Sequence, residues 1–161
     1  AELPQSEQGT SVLINQLGLL LQDQGKLEQA ELLYREALEA CRATLGNRHP
    51  GTLISIGNLG SLLRDAGRLD DAYPLTEEAL AGNRAVHGDA HLNTLVSMLR
   101  LGILLKKMGK LDEAQLQLQV ALAGLKASVG DAHPFARRAL AELMDMGPSI
   151  SSSSNGSFAD V

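Results

Sequence analysis

The four residues Gly-Asp-Ala-His occur at 88–91 and again at 130–133, and a variant, Gly-Asn-Arg-His, stands at 46–49. The step between them is 42 residues, and the rest of the chain keeps it. TSVLINQLGLLLQDQGKLEQAELLYREALEACRATLG, TLISIGNLGSLLRDAGRLDDAYPLTEEALAGNRAVHG and TLVSMLRLGILLKKMGKLDEAQLQLQVALAGLKASVG begin at Thr10, Thr52 and Thr94. A sequence that repeats at a fixed period of this size folds as a row of like units, each burying its apolar face on the next.

The periodicity inside each unit is helical. Ile14, Leu17, Gly18 and Leu21 fall at i, i+3, i+4 and i+7, as do Ile56, Leu59, Gly60 and Leu63, which predicts a first helix, A. Gly25, Gly67 and Gly109 close it, because glycine takes the left-handed conformation that ends a helix. Leu27, Ala30, Tyr34, Ala37, Leu38 and Leu45 open a second helical pattern, B, with Glu28, Asp70 and Asp112 in the acidic first turn that the helix dipole favours. Composition agrees: 44% of residues are hydrophobic but only 2% are aromatic, with no Trp, so the core is aliphatic and closely packed. The expected class is all-α. Gly18, Gly60 and Gly102, Ala30, Ala72 and Ala114, and Ala37, Ala79 and Ala121 stay small in all three units, where A and B must approach closely.

The His-containing stretch therefore lies between helix B and the next helix A. Pro50 and Pro134 suit a first helical position, placing His49 and His133 at the N-cap, with His91 in the corresponding turn. Asp89 and Asp131 are expected to bond turn amides, and His87 to be solvated. One His per unit separates His49, His91 and His133 by about 10 Å or more, too far to share an ion held at ~2.1 Å. No metal site or cofactor is expected. Pro74, inside helix B of the second unit, predicts a small bend, and Gly57 and Gly82 weaken their helices by about 0.5–1 kcal/mol each. The second unit is thus expected to be the least stable.

The Leu-Gly of helix A and the spaced alanines of helix B resemble the tetratricopeptide repeat family. The 42-residue step, GKLEQAELLYREALEA and LGNRHP are similar to the kinesin light chain-like type. The family's Trp in early helix A is replaced by Ile14, Ile56 and Met98, and its late aromatic in helix B survives only as Tyr34, becoming Thr76 and Leu118. The resemblance implies a right-handed superhelical solenoid of three helix pairs with the A helices on the concave side. The expected organisation is a lead-in over 1–9, repeats over 10–51, 52–93 and 94–133, a capping helix over 134–146 and a flexible Ser-rich tail over 147–161. In the cap, Phe135, Ala139, Leu140 and Leu143 are expected inward, and Arg137 and Arg138 outward.

Residues off the packing face of helix A give the groove. They are Val12, Asn15, Gln16, Leu19, Gln22 and Asp23 in the first unit, and Ile54, Gly57, Asn58, Ser61, Arg64 and Asp65 in the second. The third contributes Val96, Leu99, Arg100, Ile103, Lys106 and Lys107. These rows vary while the packing residues repeat. Asn15 and Asn58 are expected to hold a peptide backbone, since an amide both donates and accepts. Arg64, Arg100, Lys106 and Lys107 form a basic patch suited to carboxylates, with Leu99 and Ile103 as an apolar place beside it. Asn58 and Arg100 match the set with which chaperone-binding tetratricopeptide domains grip a C-terminal carboxylate, but Asn15, Leu19 and Val96 fill its other positions. The resemblance to kinesin light chains implies acidic peptide ligands.

The expected function is a scaffold that binds an extended, acidic peptide of a protein partner, and the alternative is a structural or self-associating module. A formal charge of −5 offers no overall attraction to nucleic acid or anionic membranes. The Leu-rich run at 17–21 is far short of a membrane span, and no signal-peptide core precedes it. The single Cys41 has no internal disulfide partner and fits a reducing compartment, so a monomer in the cytoplasm is expected. The absence of an initial Met suggests processing or a piece of something longer. No nucleophile and base, phosphate loop or metal-ligand spacing points to an enzyme.

Overall fold

A computed structural model describes residues 5–147, with side chains from Leu13 onward. Among these residues there are seven helices and no strand: α1 (Gln5–Asp23), α2 (Leu27–Leu45), α3 (Pro50–Asp65), α4 (Leu69–His87), α5 (Leu92–Lys107), α6 (Leu111–Val129) and α7 (Pro134–Met146). The A helices are α1, α3 and α5, the B helices are α2, α4 and α6, and α7 stands where a fourth A helix would begin. The tail expected over 147–161 lies, beyond Gly147, outside the described residues.

The recurring residues at the joints have specific bonds. After α1, Gly25 has φ 74°, and Lys26 N donates to Leu21 O at 2.9 Å, the six-to-one closure of a helix end. Arg68 N to Leu63 O and Lys110 N to Leu105 O repeat it. His49, His91 and His133 are N-caps whose Nδ1 accepts from Gly51 N, Asn93 N and Phe135 N at 3.1, 3.2 and 3.3 Å. Thr52 and Thr94 tie each unit to the turn before it, their hydroxyls donating to Gly46 O and Gly88 O at 2.7 Å.

Two expectations at these turns are corrected. Asp89 accepts from Arg84, and Asp131 pairs with Lys126 at 3.4 Å, so these carboxylates meet the cation that ends the preceding helix, not turn amides. His87 stacks on His91 with ring centroids 4.2 Å apart, and its Nε2 is buried without a hydrogen-bond partner. The stacked imidazole shields Nε2, while the residue as a whole stays half-buried.

The backbones of the A helices approach one another in sequence, α1 and α3, α3 and α5, α5 and α7, whereas the backbones of the B helices approach only A helices, and α2 and α4 meet through the Arg42–Glu78 pair. The A row is therefore the tight, inner side. Each A–B pair closes on a glycine: a Cβ at Gly18 would lie 2.5 Å from the Tyr34 ring, one at Gly60 3.0 Å from Thr76 Oγ1, and one at Gly102 2.7 Å from Leu118 Cγ. Tyr34, Thr76 and Leu118 occupy one register, and all three are buried there.

The weak points expected in the second unit have structural answers. α4 runs through Pro74 as one continuous helix. Gly82 leaves space that Leu53 fills, as Gly124 does for Leu95, so the helix interior exchanges propensity for close packing. The expected face of α7 is also corrected. Ala136 and Ala139 are buried, but Phe135 and Leu140 are 36% and 41% exposed. α7 packs on the preceding pair with the register of Thr94 and Ser97, and Leu140 falls at the register of Met98, which in its own unit faces a B helix.

Candidate peptide-binding groove

A cavity of about 260 Å³ opens on the A row, drawing side chains from α1, α3, α5 and α7. Of the residues expected to form the site, Leu19, Asn58, Ser61, Arg64, Leu99, Arg100 and Ile103 line it, whereas Asn15, Gln16, Lys106 and Lys107 do not. Gln22, Asp23, Asp65 and Val96, members of the same helix rows, also line it, together with Phe135 and Arg138 of α7. The 42-residue step that leads from Ile54 to Val96 leads next to Arg138, so the register could have placed it in the groove. Phe135 had no such signal.

Across the floor runs a ladder of side chains. Asn15 Nδ2 donates to Ser55 Oγ at 3.0 Å, Asn58 Nδ2 to Asn15 Oδ1 at 3.5 Å, and Arg100 Nη2 to Asn58 Oδ1 at 3.1 Å. The Asn58 amide is thus engaged at both ends within the protein, and the residue is almost wholly buried. It joins helices where a hold on a peptide backbone was expected. Leu99 and Ile103 are likewise core residues, and the exposed apolar surface of the cavity comes from Leu19, Phe135 and half-buried Val96.

The four cations of the expected patch separate. Lys106 leaves the groove: its Nζ lies 2.9 Å from Glu142 Oε2 and 2.6 Å from Asp145 Oδ2, both on α7. Burial opposes its charge, but the hydrogen bonds it donates to Asp145 and Glu142 outweigh that and raise its pKa. Lys107 is exposed away from the cavity. Arg64 lies in the cavity wall, paired to Asp65 at 2.8 Å, and Gln22 Nε2 also donates to that aspartate at 2.8 Å.

Arg100 is different. Its one hydrogen bond is to a neutral amide, and among the described residues it forms no ion pair with a carboxylate. Burial foremost, then the charge of Arg64, push its guanidinium down to about 10, with Arg138 adding to the effect. It remains a cation at neutral pH. Tyr34 lies close enough to be influenced by that charge, yet burial pushes its hydroxyl up to about 12. Such a half-buried cation without a carboxylate partner, set in a cavity, can accept an anion without first breaking an internal pair.

A second recess, of about 170 Å³, shares Val96, Arg100 and Phe135 with the first and adds Ile54, Leu92 and Asn83. It is mainly apolar. The Asn83 amide donates to Ala79 O at 2.9 Å and Ser97 Oγ at 3.0 Å, leaving its Oδ1 buried and unpartnered. No helix among the described residues is long and apolar enough to cross a membrane.

The family model described as Tetratricopeptide repeat matches residues 10–81 and 55–127. No curated protein matches the sequence. Among solved structures, BtubC (BKLC) from P. vanneervenii is similar at TM-score 0.77 with 18% identity, over 90% of this chain and 58% of that one. A Podosopora anserina protein with nearly identical TPR-like repeats, described as a kinesin light chain, is similar at TM-score 0.76 with 22% identity, over 83% of this chain and 63% of that one. The N-terminal domain of stress-induced protein-1 from C. elegans is similar at TM-score 0.60 with 16% identity, over 90% of this chain and 100% of that domain. The chain therefore spans less than two thirds of the length of the first two structures.

Proposed function

The chain belongs to the tetratricopeptide repeat family, whose repeats are protein–protein interaction modules, and we propose that it binds an extended, acidic peptide segment of a partner in the concave groove. The observation that carries this reading is Arg100, a half-buried guanidinium whose hydrogen-bond partner is a neutral amide, in a cavity it shares with Arg64 and Arg138. A ligand carboxylate meets Arg100, and a neighbouring bulky apolar side chain enters the recess of Ile54, Leu92, Val96 and Phe135. Asp23 and Asp65, which also line the cavity, disfavour a second acidic residue beside them.

Docking orders a flexible segment, so micromolar affinity, roughly −8 kcal/mol, is expected. It falls with salt, because charges near solvent are screened within about 8 Å at physiological ionic strength. Fluorescence polarisation with a panel of acidic, neutral and basic peptides tests the reading: acidic peptides with one aromatic residue should bind, and equal binding of basic peptides would overturn it. The unpaired, buried Cys41 suits action in a reducing compartment such as the cytoplasm.

A second reading, self-association, has its own observation. Leu13, Leu17 and Leu20 of α1 are exposed, whereas the equivalents of the last two in later units, Leu59 and Leu62, then Leu101 and Leu104, are buried on a preceding helix pair. Light scattering over a concentration series separates the readings. A rising mass that groove mutations do not change favours self-association.

A further inference from the structure

Gly57 lies buried in the middle of α3 without a positive φ, so its backbone does not require glycine, and glycine weakens a helix relative to alanine. The other close-packed helix glycines make room for core side chains: Tyr34 at Gly18, Leu118 at Gly102, Leu53 at Gly82. At Gly57 the space is filled by a charge. A Cβ there would collide with Arg100 Nη1 and lie 3.3 Å from Arg100 Cζ, while the next atom, Ala79 Cβ, stays at an ordinary 3.9 Å. Arg100 comes from α5, so its guanidinium crosses the seam between units and rests on the α3 backbone, with Nη2 held by Asn58. The first and third units carry Asn15 and Leu99 at this register, and only the second offers such a seat.

We propose that Gly57 is a specificity-determining positioning residue, whose missing side chain seats the Arg100 guanidinium so that it meets a ligand carboxylate. The inference rests on the groove reading above. A preorganised guanidinium binds an anion without the ordering cost that a free Arg side chain carries. With alanine at position 57 the guanidinium, the far end of a flexible chain, is displaced, and the helices need not move apart. The substitution therefore acts in opposite directions: α3 gains helix propensity, and the anion subsite loses its geometry.

The test is a double-mutant cycle read by two measurements, polarisation with a labelled Asp- and Glu-rich peptide carrying one Phe, and thermal melting. Arg100→Ala should weaken binding about tenfold or more, and Gly57→Ala about fivefold with an equal or higher melting temperature. The double variant should bind no more weakly than Arg100→Ala alone. Wild-type binding by Gly57→Ala, or losses that multiply in the double variant, overturns the seat. A melting loss in Gly57→Ala that persists once Arg100 is removed also overturns it, since the collision is then with the helices, whereas a loss relieved by Arg100→Ala supports it. If Arg100→Ala binds as tightly as wild type, the groove reading itself fails.

Discussion

Arg100 and Lys106 stand on the same helix, less than two turns apart, in two regions that look alike as charge patterns and differ in what surrounds them. Lys106, near the end of α5, meets two carboxylates of α7 and becomes a clamp that fastens that helix. Arg100, at mid-helix, finds an amide, a glycine and two further arginines, and stays an uncompensated cation in a cavity. A basic residue on the A row thus stays without a carboxylate or fastens a helix according to what the next helix brings to it.

Charge reversal breaks this comparison most sharply. Arg100→Glu should abolish acidic-peptide binding, a loss of about 3 kcal/mol or more, because the new carboxylate faces the ligand's own. Lys106→Glu should leave binding by the folded protein within about twofold of wild type. Polarisation on the two variants checks it, and equal losses would erase the distinction.

Stability should invert that order. Lys106→Glu sets a third carboxylate against Glu142 and Asp145 in a half-buried site, and an expected cost of about 2 kcal/mol would appear in denaturant melts as a lower midpoint. Arg100→Met removes a charge that burial, Arg64 and Arg138 all oppose while keeping much of the side chain's length. It should stabilise by about 1 kcal/mol, and a lower melting temperature would mean that the Asn58 bond outweighs desolvation.

A smaller effect separates the regions by pH. The Lys106 hydrogen bond and charge hold the Asp145 carboxyl below its ordinary 3.8. Its contribution is present above that value and lost as pH falls through the lowered folded-state pKa. Hydrogen exchange of α7 should therefore accelerate below about pH 3.8, and in Lys106→Met that pH step should disappear. The smallest change is expected on the outer side, where Arg42 meets Glu78 across an exposed 2.8 Å bridge. Arg42→Ala should cost less than about 0.5 kcal/mol and leave peptide binding unchanged, so a larger loss would show that the outer face contributes to the groove.

The fold was largely legible because its determinants are local and repeated. Gly25, Gly67 and Gly109 mark helix ends, the turn histidines cap, and Gly18, Gly60 and Gly102 mark close approach. Groove membership was partly legible, since the rows follow helical spacing and the step predicts Arg138. The state of each residue there was not. Helical spacing does not reveal that the Asn58 amide is bonded at both ends, that Leu99 and Ile103 line the cavity while almost wholly buried, or that Gly57 accommodates a guanidinium.

By itself the sequence determined the unit, its two helices, their capping and the small residues that let them pack, because each depends on neighbours within one 42-residue step and three copies state it three times. Only the tertiary structure decided which cations meet carboxylates, which side chains sink into the floor and which face α7 turns to the groove. Those outcomes depend on residues some 40 positions apart brought together by stacking, as Lys106 is to Glu142 and Arg100 to Asn58. In a repeat array a residue's register is inherited from its own unit, but its partners are supplied by the next.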